Sequence, residues 1–200
     1  NPYLRSKNVS KDEWCDQKIK EMEETILSVG ADQIGCFIAE PILASGGVIV
    51  PPAGYHTRSL ELCKKYDIVY ISDETVTGFG RLGHWFASKE VFNIQPDIIT
   101  CAKGLTSGYL PMGAAIISDS LIDGIKNTEG SQPFTNGYTY SCHPVAAKAA
   151  LTNINIISNE NILGHVQEIS PHFQSRLKAV GEKYDIIGDA RGLGLLGCLE

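Results

Sequence analysis

Ile68-Val69-Tyr70-Ile71-Ser72 is an apolar, β-branched run that ends at Asp73, and Asp97-Ile98-Ile99-Thr100-Cys101 is a second such run that stops just before Lys103. Uninterrupted apolar runs of this length read as strands buried on both faces. Gly113 to Ile117 is a third strand, and Ile34 to Ala39, upstream, is a short buried strand that closes on Glu40-Pro41. Between these runs the period changes. Ser10 and Glu13 form a capping box, after which Cys15, Ile19, Met22, Ile26 and Val29 recur at helical spacing up to Gly30. Further helices are predicted from about His56 to Lys65, from about Pro144 to Ser158 and from Asn161 to Val180. Alternation of strand and helix gives an α/β fold with a mostly parallel sheet. Leu193 to Glu200 reads as one apolar strand.

Composition narrows the function. The 200 residues suffice for one domain or part of a larger one, and a net charge of −6 lacks the clustered basic residues that grip nucleic-acid phosphates. The apolar runs are too short to span a bilayer, so no membrane role is expected. No two of the six cysteines lie within four positions of each other, which speaks against a zinc ribbon or a redox pair and suits a reducing cytoplasmic setting. The five histidines include no HExxH pair. Asn1-Pro2-Tyr3 carries neither an initiator Met nor a signal segment, so the chain is expected to be an internal stretch of a longer protein. Residues 1–183 are expected to form most of one large domain, incomplete on its N-terminal side, and residues 184–200 to begin a second.

In an open α/β sheet, ligands sit beyond the carboxyl ends of the strands. Three polar side chains fall there: Glu40, Asp73 and Lys103. A lone Asp after a strand is commonly a turn or cap residue, and a lone Lys is commonly solvated. The neighbours point further. Small residues flank Lys103 in Ala102-Lys103-Gly104, and partial burial would lower the lysine's pKa and free its amine to form a Schiff base with an aldehyde. A carboxylate such as Asp73, facing a pyridine nitrogen, favours the protonated ring that acts as an electron sink.

Four stretches carry a resemblance. YISDETVTGFGRLG (Tyr70 to Gly83) and DIITCAKGLTSGYLPMGA (Asp97 to Ala114) resemble the class III, or omega, aminotransferases of the fold-type I pyridoxal-phosphate family. AEPILASGGVIVPPAGY (Ala39 to Tyr55) and GYTYSCHPVAAKAAL (Gly137 to Leu151) resemble its other signature stretches, in the right order. The resemblance implies pyridoxal 5'-phosphate as cofactor, held as a Schiff base by Lys103, with Asp73 paired to the pyridinium nitrogen. It places Thr75 and Val76 against the ring or near its 3-hydroxyl, and Tyr138 near the phosphate. Thr139 matches a hydroxyl that binds the phosphate of the neighbouring subunit's cofactor, which implies at least a homodimer with shared active sites. Glu40 matches an acid behind the cofactor, or else holds a loop.

The chain also departs from the family pattern. Thr75 stands where an aliphatic residue is usual, Ser45 where a glutamate and Val76 where a glutamine mark members acting on gamma-amino acids or ornithine. Asn136 and Cys142 replace a common histidine and glycine. AKGLTSGY is most similar to enzymes that pass an amino group from an omega-amino acid or amine donor to a keto acid, pyruvate. The alternatives are a lyase, decarboxylase or aminomutase on the same scaffold, a non-catalytic interaction protein, against which the intact Lys103–Asp73 pair speaks, and a dehydrogenase using the GxGxxG of Gly78 to Gly83 for NAD. The latter pattern should open a helix directly after a strand, and His84-Trp85-Phe86 is a poor helix start. The loop that cradles the phosphate, the aromatic that stacks on the ring and the arginine that binds the substrate carboxylate are expected outside these residues.

Overall fold

The computed structural model describes residues 1–127, 130 and 136–200. Its centre is a sheet ordered β1 (Cys36–Ala39), β2 (Val69–Asp73), β3 (Ile98–Cys101) and β4 (Ala114–Ile117). β1, β2 and β3 run parallel, while β4 pairs antiparallel with β3. The predicted mostly parallel sheet is therefore present, with an antiparallel edge. α2 (Tyr55–Lys65) lies between β1 and β2 in the chain and opens after Gly54, whose φ of 76° suits glycine. The register sets Asp73 opposite Thr100, so the carboxyl ends of β2 and β3 finish side by side.

One face of the sheet holds the core. Tyr70 and Ser72 point into it and are fully buried, and Tyr70 packs with Ile26, Leu60, Cys63, Ile68 and Ile94. Ile26 comes from α1 (Lys11–Val29), and Leu60 and Cys63 from α2. The capping box stands as read: Ser10 Oγ accepts from Glu13 N at 3.1 Å, and Glu13 Oε2 accepts from Ser10 N at 2.8 Å. Cys15 and Ile19 of α1 bury against Leu62 of α2. The opposite face differs from the expectation of strands buried on both sides. There Ile38 is 56% exposed, Cys36 is exposed, and Val69, Ile71 and Ile98 are only half-buried. Strand alternation puts Asp73 and Thr100 on this open face.

Two helices were not foreseen. α3 (Ala87–Glu90) is a single turn whose first amides are bonded by a distant acid, and α4 (Asp119–Asn127) follows β4. α5 (Pro144–Asn159) and α6 (Ile162–Lys183) match the two predicted downstream helices within a few residues. The predicted single strand over Leu193 to Glu200 is instead the second arm of a hairpin, β5 (Ala190–Leu193) with β6 (Leu196–Leu199). Gly194, at φ 59°, makes the reversal that the apolar pattern concealed. Arg191 fastens this hairpin to the rest: its Nε donates to Gly47 O at 2.9 Å, its Nη1 bonds Asp189 and Glu200, and its guanidinium lies 4.8 Å from the centre of the Tyr3 ring.

Candidate active site

Asp73 closes β2 on the open face, and its carboxylate meets donors from the residues that follow β2 and from β3. Thr75 N donates to Asp73 Oδ1 at 3.0 Å. Burial pushes the Asp73 carboxyl upward, but hydrogen bonds from the Thr75 hydroxyl and N–H, the Thr100 hydroxyl and the nearby Lys103 charge outweigh it and hold it below the ordinary aspartate value. The side chain is thus an anion poised at a strand end. Thr75, which the resemblance set against a ring, here serves as an Asp73 donor; Val76 is half-buried beside it.

Lys103 follows β3 through Ala102 and starts a 3-10 turn, Lys103–Leu105. Within this chain its side chain is exposed. Its backbone stands at φ 39°, a left-handed conformation that costs a non-glycine residue on the order of 1–3 kcal/mol. Surrounding structure must hold such a turn. Asn153 of α5 does so from the far side: its Nδ2 donates to Gly104 O at 2.7 Å and to Leu105 O at 3.1 Å. Gly104 is needed for close approach, since a Cβ there would sit 2.9 Å from Phe79 Cβ.

Phe79 belongs to the glycine-containing loop. Gly78 N bonds Glu74 O, Phe79 N bonds Trp85 O and Gly80 N bonds His84 O, with Gly80 and Gly83 at φ 96° and 82°. These glycines make a folded-back loop, and no helix opens on them, so the geometry required of a dinucleotide fingerprint is missing. The loop is anchored by Glu74, which is fully buried. Its Oε2 accepts from Thr77 Oγ1 at 2.6 Å and Ala87 N at 2.9 Å, and its Oε1 from Ser88 N at 2.7 Å and Ser88 Oγ at 2.5 Å. Glu74 N in turn donates to Thr100 O at 2.8 Å, which extends the β2–β3 pairing past Asp73.

The remaining candidates divide. Glu40 accepts from Ala44 N at 3.1 Å and so holds the turn that follows β1. Together with Asp73 it borders a cavity of about 670 Å³ that runs past Ile38 to Trp14, Tyr55 and His56, and Lys103 is not among its lining residues. His56 is buried with Nε2 2.9 Å from Pro41 O and Nδ1 2.8 Å from Tyr70 Oη, so Nε2 carries the proton and Nδ1 accepts. Tyr138 and Thr139 are exposed in a local turn, with Tyr138 N donating to Ser141 Oγ at 3.0 Å. Among the described residues neither is hydrogen-bonded to Asp73 or Lys103. The structure therefore joins Thr75 to Asp73, sets Lys103 three residues past Thr100, the residue in register with Asp73, without an ion pair between Lys103 and Asp73, and leaves Tyr138 and Thr139 facing outward. No group of three or more potential metal ligands occurs among the described residues.

Glu74 and Asn153 were missed by the reading of the sequence. Glu74 had a signal: an acid two positions after the inward-facing Ser72 must itself point inward and find donors. Asn153 had none, since its partners lie 48 and 49 positions away.

The family description "Aminotransferase class-III" matches residues 2–200. A putrescine–pyruvate aminotransferase of Pseudomonas aeruginosa is 43% identical over 99% of the chain and 42% of its own length. A mitochondrial gamma aminobutyrate transaminase of Solanum lycopersicum is 45% identical over 96% of the chain and 37% of its own length. Among solved structures, a thermostable (S)-enantioselective omega-transaminase from Thermomicrobium roseum superposes with a TM-score of 0.92 at 37% identity, over all of this chain and 44% of its own. The PMP-bound aminotransferase of Vibrio fluvialis gives a TM-score of 0.89 at 36% identity, over all of this chain and 44% of its own. The chain thus spans about two-fifths of the length of the relatives it matches.

Proposed function

The chain belongs to the class III aminotransferases, and from that premise we propose that the protein it is part of moves an amino group from an amine or omega-amino acid donor to a keto acid, with pyridoxal 5'-phosphate as cofactor. The observation that carries this reading is the register that ends β2 at Asp73 opposite Thr100, with Thr75 N donating to Asp73 Oδ1 at 3.0 Å and Lys103 starting the turn just past β3. An anion beside a basic amine at adjoining strand ends fits the two demands of that cofactor, a partner for the ring nitrogen and an amine for the aldehyde. When bound, the cofactor supplies an aldehyde carbon and an electron sink. Lys103 Nζ would hold the aldehyde carbon covalently. Lys103 Nζ, when not so bound, would serve as the base for the proton on the donor's amine-bearing carbon and as the acid that returns it. Asp73 would favour a proton on the ring nitrogen; each pKa unit of that bias corresponds to about 1.4 kcal/mol. Exposure of Lys103 in this chain supports a site that further chain or a second subunit closes over.

The Thr139 turn supports a shared site in a homodimer: Thr139 faces outward, and Tyr138 and Tyr140 beside it are each 81% exposed. In that reading Thr139, with Tyr138 near it, reaches the phosphate of the neighbouring subunit's cofactor. A boundary at Tyr184 belongs to the same proposal, supported by the separate two-stranded sheet of β5 and β6. All six cysteines are free, which supports a cytoplasmic location, and no described helix is long and apolar enough to cross a membrane.

The test is a donor screen on the full-length protein with pyruvate and 2-oxoglutarate as acceptors. Pyruvate-dependent turnover is expected with diamine or omega-amino acid donors, as the name of the Pseudomonas relative reads for its own reaction. Preference for 2-oxoglutarate would move the protein to another subclass. Turnover of an amine with no acceptor requirement would place it with the lyases or decarboxylases.

A further inference from the structure

Lys103 sits on backbone that its own sequence does not favour. Its φ is 39°, Ser107 follows at 50° and Gly108 at 79°, so three of six consecutive residues are left-handed, two of them with side chains. A segment of this kind relaxes unless its carbonyls and amides are held from outside. Within the segment, Leu105 N bonds Ala102 O, Thr106 N bonds Lys103 O and Ser107 N bonds Gly104 O at a long 3.3 Å, which closes the turn but leaves the Leu105 carbonyl without a helical continuation and the Gly104 carbonyl with a lone pair to spare. Asn153 takes both. Its Nδ2 has two hydrogens and gives one to each carbonyl, while its Oδ1 accepts from Ser107 Oγ at 2.7 Å. The amide's orientation is dictated by its partners, since two carbonyls can face only the NH2 end and the hydroxyl proton then completes the oxygen end.

We propose that Asn153 is the positioning residue for Lys103: by bridging Gly104, Leu105 and Ser107 it holds the left-handed turn that aims the lysine amine at the Asp73 end of the sheet. The inference rests on the aminotransferase reading above and deepens it. Asn153 touches no reacting atom. It acts through the backbone, from a rigid sixteen-residue helix, and so converts the position of α5 into the direction of Nζ. Aspartate at this position would keep the size and the oxygen that Ser107 needs, but would set a carboxylate oxygen against two carbonyl oxygens.

The experiment uses the full-length protein with pyridoxal phosphate, comparing wild type with Asn153→Asp, Asn153→Ala and Ser107→Ala. Three quantities are read: the rate at which the apoprotein develops a borohydride-sensitive visible band, the pH midpoint of that band, and kcat and KM for the donor. For Asn153→Asp and Asn153→Ala the band is expected to form about tenfold or more slowly with a displaced midpoint, and kcat to fall about tenfold or more while donor KM stays within about twofold. Ser107→Ala, which leaves the two carbonyl bonds but frees the amide to swing, is expected to move the same quantities in the same direction and less far. A purely structural Asn153 would lower the unfolding temperature and leave band formation, midpoint and kcat at wild-type values, and that result overturns the inference. Should the Asn153 variants fail to fold, wild-type values in Ser107→Ala overturn it equally. Absence of the band in the wild type is a different failure, that of the cofactor reading itself.

Discussion

Replacing Glu74 with Gln isolates the charge and acceptor count of the buried acid under Asp73. The carboxylate serves four donors, Thr77 Oγ1 and Ala87 N on one oxygen and Ser88 N and Ser88 Oγ on the other, with no solvent exposure. Glutamine keeps one oxygen and turns an NH2 towards one of the two pairs. In each pair the hydroxyl can rotate and become the acceptor, but the backbone N–H cannot. Whichever way the amide settles, one N–H, of Ala87 or of Ser88, is left buried and unsatisfied, a penalty of about 1–3 kcal/mol. Taking about 2 kcal/mol, the local opening equilibrium of α3 rises roughly 30-fold. Hydrogen–deuterium exchange of the full-length protein should therefore show the Ala87 and Ser88 amides exchanging roughly 30-fold faster, with the α2 core amides unchanged. Exchange within about threefold of wild type would refute the reasoning, because it would mean that packing, and not the carboxylate, holds α3.

Other perturbations follow from the same contacts. Burial holds the His56 imidazole below its ordinary value of 6.5 despite the bond to Pro41 O, so the folded state binds fewer protons than the unfolded one. The stability that His56 contributes is then complete above about pH 6.5 and is lost as pH falls through the lower folded value; melting temperatures from pH 7.5 to 5 should fall, and His56→Gln should flatten that fall. Arg191→Lys gives up the bond to Gly47 O. Its carboxylate partners, Asp189 and Glu200, are 38% and 65% exposed and contribute little, so a loss of about 1–2 kcal/mol is expected in denaturant unfolding, and no change would show the clasp to be idle. Gly192→Ala would drive a Cβ into Leu196 O, a backbone atom that cannot step aside, so the β5–β6 hairpin should lose its exchange protection; wild-type protection would contradict that contact.

How far the sequence could be read depended on the range of the interaction. β2 and β3 were legible because apolar, β-branched residues crowd there, and their ends marked Asp73 and Lys103 without any fold in hand. The capping box of α1 was legible because both bonds lie within three positions. The open sheet face was not, since the same apolar run serves a strand covered once or twice. Gly194 hid a hairpin turn inside an apolar stretch. The left-handed backbone of Lys103 was equally hidden, because Asn153 and Phe79 reach its turn from other elements. Thr75 carried no signal of its bond to Asp73, because that bond is made by its backbone N–H and not by its side-chain type.

The most direct measurement is borohydride reduction of the full-length protein loaded with pyridoxal phosphate, followed by digestion and mass spectrometry of the labelled peptide, in parallel with an Asp73→Asn variant. A pyridoxyl label confined to Lys103, with Asp73→Asn still labelled there but severely slowed in taking the donor proton, is the expected result. A label on another lysine, or an Asp73→Asn variant with wild-type turnover, would contradict the pairing of these two side chains.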